Sequence, residues 1–430
     1  MKKVIVIGSG FAGLAAATKM ASEGLDVTLL EKNETLGGRA RVFEVDGFTF
    51  DMGPSWYWMP DIFENYFNEF GKKVSDYYEL VRLDPSYKVI FSETKETNLP
   101  ADQRSLKALF EEMEPGCGEK YDAFLKESEY KYRVGIGEFV WKPSLSVTEF
   151  FDFRLISKAL SLDLFASFGK HIRKFFKNED ILKIMEFPIL FLGATPNDTP
   201  ALYSLMNFAE MTMGTWYPMG GMHEIVKGMV SLAEEKGVKI LTNQKVTGFS
   251  FDGKKIKKVL TEDSAYFADI VVGGADYHHI DKELLPVEFS NYSDKNWDKR
   301  LMAPSSLLFY LGINRKVDRL IHHNLFFDED FALHAEEIYK TPQWPSKPLF
   351  YVSAPSKTDD SVAPKGSENL FILVPLAPDL EDNDEIREKY FDILIARLED
   401  YVGHSIKEHI VYKKSYAIND FKQEDRKSVV

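Results

Sequence analysis

The sequence is poor in the features that define several protein classes. Its 430 residues contain one cysteine, Cys117, which excludes an intrachain disulfide and a thiolate metal cluster. No uncharged stretch reaches the ~18 residues of a spanning helix, so a soluble or monotopic chain is expected. Positive charge is in deficit, with 53 Lys and Arg against 67 Asp and Glu and a net charge of −14. That balance argues against general nucleic-acid binding. There is no internal repeat and no low-complexity tract. The nine histidines are scattered. His278-His279 and His322-His323 are adjacent pairs rather than helical i, i+4 pairs, and read as surface or satisfied polar residues. No metal site and no catalytic triad is expected.

Aromatic residues, by contrast, make up 14% of the chain, with 33 Phe. They suit a large apolar cavity and an aromatic core equally well.

The strongest pattern lies at the start. Val4–Ile7 reads as a buried strand that runs into Gly8-Ser9-Gly10-Phe11-Ala12-Gly13, and a second strand, Val27–Leu30, ends on Glu31 and Lys32. In such a unit Gly8 turns the chain off the strand, Gly10 admits a pyrophosphate to the backbone, and Gly13 packs the helix on the sheet. The helix N-terminus at Phe11 and Ala12 offers N–H groups and a positive dipole end to phosphate. Glu31 stands where a ribose-binding carboxylate belongs, which disfavours a 2′-phosphate. Met1-Lys2-Lys3 before an apolar run resembles a secretory signal. The glycine turn lies inside that run and cleavage would destroy it, so a cytoplasmic chain is expected.

The continuation, Gly37-Gly38-Arg39-Ala40, offers two glycines for close approach and one positive charge. Arg41–Val45 and Phe48–Asp51 alternate around Asp46-Gly47 as a hairpin, followed by Asp51-Met52-Gly53-Pro54-Ser55-Trp56. With these elements the chain resembles the carotenoid desaturase family, the phytoene desaturase type of bacterial FAD enzyme within the amine-oxidase-like flavoproteins. The resemblance implies FAD rather than NAD. It implies a cofactor-binding set of Gly8, Gly10, Phe11, Ala12, Gly13, Glu31, Lys32, Gly38, Arg39, Gly53, Pro54 and Ser55. Val246 joins them through its backbone beside the adenine.

The expected fold is α/β, in part α+β. A glutathione-reductase-like Rossmann FAD domain carries an inserted mixed-sheet substrate domain and an apolar helical lobe. Residues 1–85 and 217–290 are assigned to the FAD domain. The second block supplies a helix over His223–Lys236, a strand at Val238–Leu241, a hairpin across Asp252-Gly253 and a buried strand at 268–272. Asp276, just beyond it, reads as a helix cap. Residues 86–216 and 291–416 are assigned to the substrate and membrane-interface domain, with strands over Ser306–Gly312 and Asn369–Pro375 and a helix over Asp384–Val402.

Within residues 143–177, Leu160, Leu164, Phe168, Ile172 and Phe176 recur every fourth residue. Arg154, Lys158, Lys170, Arg173, Lys174 and Lys177 outnumber Glu149, Asp152 and Asp163 there. That pattern fits a helix lying on an anionic lipid surface, and it fits a helix covering the protein's own core equally well. The resemblance favours the membrane surface, on the inner face of the cell membrane. Phe187–Asn197 and Met211–Met222 read as tunnel walls or as core.

The activity implied is desaturation of a long isoprenoid polyene, a hydrophobic phytoene-like substrate, with hydride transfer to flavin and oxygen or a quinone as final electron acceptor. Alternatives sharing these motifs are a carotene isomerase, a retinol saturase-like enzyme and an inactive flavin- or lipid-binding pseudoenzyme. No residue is assigned as catalytic. The chain end departs from the family. No glycine follows Gly403, where the family places a glycine-rich, flavin-ring-binding segment, so poor flavin retention is expected. Residues 417–430 are expected to be a frayed or artefactual tail, since Asp425–Val430 matches a translated sequencing adaptor.

Overall fold

The structure, a computed structural model, describes residues 1–142, 146, 166–190, 193–300 and 303–424. Its first sheet has four parallel strands in the spatial order Ile270–Gly273, Lys3–Ile7, Asp26–Leu30, Lys239–Leu241. Both faces of the central strand are buried, which is why residues 4–7 form an unbroken apolar run. Val4 and Val6 face the helices Phe11–Ser22 and His223–Glu235, while Ile5 and Ile7 face the meander of Val246–Asp252, Lys255–Thr261 and Ala265–Phe267.

The hairpin Val42–Val45 with Phe48–Asp51 closes through Asp46 and Gly47, both at positive φ (49° and 80°). This turn needs that backbone conformation at both positions, and glycine meets it without strain. The hairpin leads from the first sheet toward a seven-stranded mixed sheet. The order there is Ile410–Tyr416, Ser305–Ile313, Glu368–Leu376, Phe350–Ser353, His323–Phe326, Tyr87–Ser92, Lys95–Leu99. The segments expected to build a substrate domain meet in this sheet. One face is covered by the helix Asp384–Val402. The other carries an aromatic-rich cluster shared with Phe48 and Phe50 of the hairpin.

Three expectations change. Phe168, Ile172 and Phe176 are fully buried in that cluster, so these three of the stripe's five residues face the protein's own core. Leu160 and Leu164 lie outside the described residues, as do residues 191–192 of the expected tunnel wall. Of the two readings of His322 and His323, surface or satisfied polar, the surface one falls: they are 4% and 0% exposed, because the strand that starts at His323 is covered on both sides. Residues 418–424 of the expected frayed tail form a helix, Ile418–Glu424. Ala417 and Ile418 are buried, and the Ala417 and Asn419 N–H groups donate to Asp420 and Asp382. Residues 425–430 lie outside the described residues. Among the described residues no helix is long and apolar enough to cross a membrane.

Candidate functional site

A cavity of about 460 Å³ opens at the carboxyl ends of the first sheet's strands. Gly8, Gly10, Phe11, Ala12, Glu31, Lys32, Gly38, Arg39, Pro54 and Val246, separated by up to 238 residues in sequence, all line it. The carboxyl edge of a parallel sheet is where such folds bind ligands.

The cavity suits a dinucleotide in three respects. A Cβ built on Gly10 would meet no atom within 4 Å, so the space in front of that residue is open to a phosphate. Gly10 caps the helix Phe11–Ser22 with no side-chain hydrogen bond, leaving first-turn N–H groups for an anion. Glu31, 4% exposed, stands at the far end of the cradle. Its carboxylate accepts from Ser9 N (2.9 Å), Ser9 Oγ (2.7 Å) and Asn33 N (3.0 Å). Glu31→Gln puts an amide NH2 group in place of one of the two accepting oxygens, so part of this set of donors loses its acceptor. We expect about 1–3 kcal/mol less stability by the usual cost of unsatisfied buried groups, and weaker dinucleotide binding by fluorescence titration. Unchanged melting and unchanged affinity would remove the role given to this carboxylate.

Gly13 does not line the cavity. A Cβ there would sit 2.0 Å from the Gly8 carbonyl oxygen, so it is the contact that seats the helix on the strand. Gly53 is placed in the same way, with its would-be Cβ 2.0 Å from the Arg39 carbonyl oxygen. It locks the Asp51–Trp56 segment against the Gly37–Ala40 turn. Asp51 accepts from Met222 N (2.8 Å) and His223 N (3.1 Å), tying in the helix His223–Glu235. Burial pushes its carboxyl up to about 7, against the two backbone N–H groups that pull it down.

Sequence reasoning missed Gly274, whose would-be Cβ lies 2.8 Å from the Gly13 Cα. The glycine pair at the end of a buried strand, Gly273-Gly274, was the available signal. It also missed Ser9, Asn33, Gln244, Lys245, Ala275 and His279, all on the cavity wall. Asp276, also on that wall, caps the following turn by accepting from His279 N (3.2 Å).

Beyond Pro54 the wall changes character. Ser55 lines a polar pocket of about 20 Å³ with Asp51, Tyr217, His322 and Ser353, enough for a single water. Trp56 is the hub of an aromatic cluster. His323 stacks on it at 4.0 Å, and Trp58, Phe187, Tyr351 and Tyr87 lie 5.2–5.5 Å away. Phe187 and Tyr351 also line a separate apolar cavity of about 230 Å³, with Leu325, Phe327, Phe331, Ala335, Ile338 and Leu373. Its polar wall groups include two that are committed. His334 accepts from Leu349 N and its other nitrogen bonds Pro375 O, while the Tyr339 hydroxyl donates to Leu190 O. Pro54 on the glycine-lined cavity, Ser55 on the small pocket and Trp56 against two walls of the apolar cavity are consecutive residues.

The family of flavin-containing amine oxidoreductases matches residues 11–424. The chain is 42% identical over 419 residues to a carotenoid 3,4-desaturase of Haloarcula japonica, covering 97% of this chain and 85% of that protein. It is 32% identical over 397 residues to a zeta-carotene-forming phytoene desaturase of Myxococcus xanthus, covering 91% and 76%. Among solved structures, an oxidoreductase from Methanosarcina mazei superposes with a TM-score of 0.67 over 96% of this chain and 88% of that one, at 16% identity. That last likeness concerns the fold alone.

Proposed function

The chain belongs to the carotenoid desaturase branch of the flavin-containing amine oxidoreductases, and from this premise we propose that it introduces double bonds into a long isoprenoid polyene. It is an FAD-dependent oxidoreductase. The observation that carries the substrate reading is an apolar cavity whose wall residues Phe187 and Tyr351 pack on Trp56, two residues beyond Pro54 of the glycine-lined cavity. Such a cavity suits hydrocarbon. A charged amine would be left without a partner there, at the usual desolvation cost.

FAD supplies a two-electron hydride acceptor when bound. The chain's own residues do the rest. The first-turn N–H groups at Phe11 and Ala12, with Arg39 nearby, would hold the pyrophosphate, and Glu31 would accept from ribose hydroxyls. The backbone at Val246 would border the adenine. Pro54 and Ser55 would border the flavin end, and the Trp56 cluster would hold the polyene and exclude water. Orientation of this kind is the main protein contribution to a reaction between two bound partners. Purified chain reconstituted with FAD and supplied with phytoene in liposomes tests the proposal. Longer-wavelength polyene absorbance supports it, and an isomer shift without added double bonds favours the isomerase alternative.

A polyene substrate resides in a bilayer, so the reading extends to binding at a membrane surface, on the cytoplasmic face, with oxygen or a quinone receiving the electrons. Two surface features support the first step. Lys170, Arg173 and Lys174 are exposed, and Val140 and Trp141 are 61% and 67% exposed beside Lys142. Basic charge with an exposed aromatic side chain suits an anionic lipid interface. Arg173 pairs with Glu186 at 2.5 Å and is best left in place. Lys170→Glu with Lys174→Glu should weaken binding to anionic vesicles by roughly 30-fold or more, since each basic residue near such a surface contributes about 1 kcal/mol and 1.4 kcal/mol is tenfold. Equal sedimentation of both proteins would remove this surface from the account.

A further inference from the structure

Arg41 is a cation on the dinucleotide cavity that the residues assigned above do not include. It lines the cavity beside Gly10 and Gly38. Arg41 is half-buried, whereas Arg39, two residues earlier, is exposed.

The segment that carries Arg41 is pinned on both sides. On one side Gly37 N donates to Ser9 O (3.2 Å) and Ser9 Oγ (3.1 Å), and Ser9 Oγ in turn donates to Glu31 (2.7 Å). A Cβ built on Gly38 would lie 3.2 Å from Gly10 Cα, so this turn is seated on the glycine turn itself. On the other side Arg41 O accepts from Met52 N (2.8 Å), and the would-be Cβ of Gly53 lies 2.0 Å from Arg39 O. The side chain is anchored as well. Arg41 Nε donates to Gly38 O at 2.9 Å, which fixes one edge of the guanidinium on the residue that touches Gly10. The charge therefore stands beside the point where the helix Phe11–Ser22 opens to a ligand.

A cation is needed at that point. The helix N-terminus supplies only about half an elementary charge, and a pyrophosphate carries a full charge on each phosphate. The acids Glu31 and Asp276 line the same cavity, in a chain of net charge −14. Lys245, also on the wall, is paired with Glu262 at 3.2 Å. Exposed Arg39 acts through a more strongly screened field. A guanidinium held by one edge presents a planar fork that matches phosphate oxygens in a bidentate way, which an ammonium does not.

We propose that Arg41 grips the pyrophosphate of the dinucleotide and makes the cavity select a diphosphate over a monophosphate. The assignment rests on the FAD dependence above and not on the polyene reading. Nε keeps the turn closed, and the rest of the fork donates to phosphate oxygens beside the first-turn N–H groups at Phe11 and Ala12.

The test is calorimetric titration of the flavin-free chain and of Arg41→Met with ADP, AMP and adenosine. Met keeps an unbranched apolar stem and removes the charge and the fork. ADP affinity should fall by roughly 10–100-fold, as for loss of hydrogen bonds to a charged group. Adenosine affinity should not change, and the preference for ADP over AMP should disappear. Arg41→Lys should recover part of the ADP affinity, because it restores charge without the fork. A second measurement needs no variant. Phenylglyoxal modifies accessible arginines, and ADP but not adenosine should protect the peptide containing Arg41, as read by mass spectrometry. Equal weakening of all three ligands in Arg41→Met would reduce Arg41 to a holder of the turn and overturn the assignment. So would unchanged ADP affinity, or an Arg41 modified equally with and without ADP.

Discussion

Gly13→Ala is expected to destroy the first domain, whereas Gly10→Ala, three residues earlier, should leave it folded and remove its cofactor. The added methyl at Gly13 would lie 2.0 Å from the Gly8 carbonyl oxygen and 3.1 Å from its carbon, both rigid backbone atoms. Relief requires moving the helix Phe11–Ser22 off the strand Lys3–Ile7. Overpacking of a core costs about 1–3 kcal/mol where side chains can yield, and here no side chain is available to yield. Loss of soluble protein, or a melting temperature lowered by more than 10 °C (about 2–4 °C per kcal/mol for larger domains), is the outcome.

At Gly10 the geometry is reversed. Its φ of −66° suits any residue, and the methyl meets nothing within 4 Å. Stability should change by no more than about 0.5–1 kcal/mol, with the sign toward gain from a stiffer unfolded chain. The methyl instead occupies the space in front of the helix N-terminus where a pyrophosphate approaches. Bound FAD should fall sharply, since the methyl keeps the phosphates from the helix N–H groups that would hold them. Calorimetry on the two variants separates a fold-bearing glycine from a ligand-facing one. Unimpaired FAD binding by Gly10→Ala would show that phosphate does not approach there.

A second large effect is expected at the apolar cavity. Ala335 lies 7% exposed on the helix Phe331–Tyr339 and lines the cavity with Phe187, Leu325 and Tyr351. Ala335→Trp directs an indole into a space of about 230 Å³, which it fills without forcing the surrounding strands apart. The cradle lies on a different sheet, so FAD binding should not change. Polyene turnover should fall by roughly 100-fold, since a substrate held off its productive position by even 1 Å loses about that much. Full turnover with unaltered KM in Ala335→Trp would place the substrate elsewhere.

The parts legible in the sequence were those whose determinants are local. The strand, turn and helix of residues 4–22 announce themselves because a doubly buried strand is an unbroken apolar run and the turn demands glycine. The hairpin at Asp46-Gly47 and the helix Asp384–Val402 follow equally from near neighbours. Gly274 was illegible because its constraint is the Gly13 backbone, 261 residues away in sequence. The apolar cavity was legible only at Phe187 and Leu190, within the stretch read as tunnel wall or core; Leu325, Ala335, Tyr351 and Leu373 share no periodicity and meet only when the mixed sheet closes. His322-His323 read as surface or satisfied polar residues, and the second holds: they are buried, and each ring nitrogen Nδ1 finds a hydroxyl, Thr358 or Tyr351. The stripe at Phe168, Ile172 and Phe176 had the correct period, but periodicity does not say whether lipid or protein faces it.

The most direct test of the central claim, that the apolar cavity is the hydrocarbon site of this FAD enzyme, is a spectrum. Purified chain is incubated with FAD and phytoene in anionic liposomes, and polyene absorbance is followed beside a sample of Ala335→Trp. The account predicts absorbance moving to longer wavelength as conjugation lengthens, abolished by filling the apolar cavity while bound flavin stays constant. Flavin-loaded protein that leaves the phytoene spectrum unchanged, or that lengthens conjugation equally with the cavity filled, would contradict it.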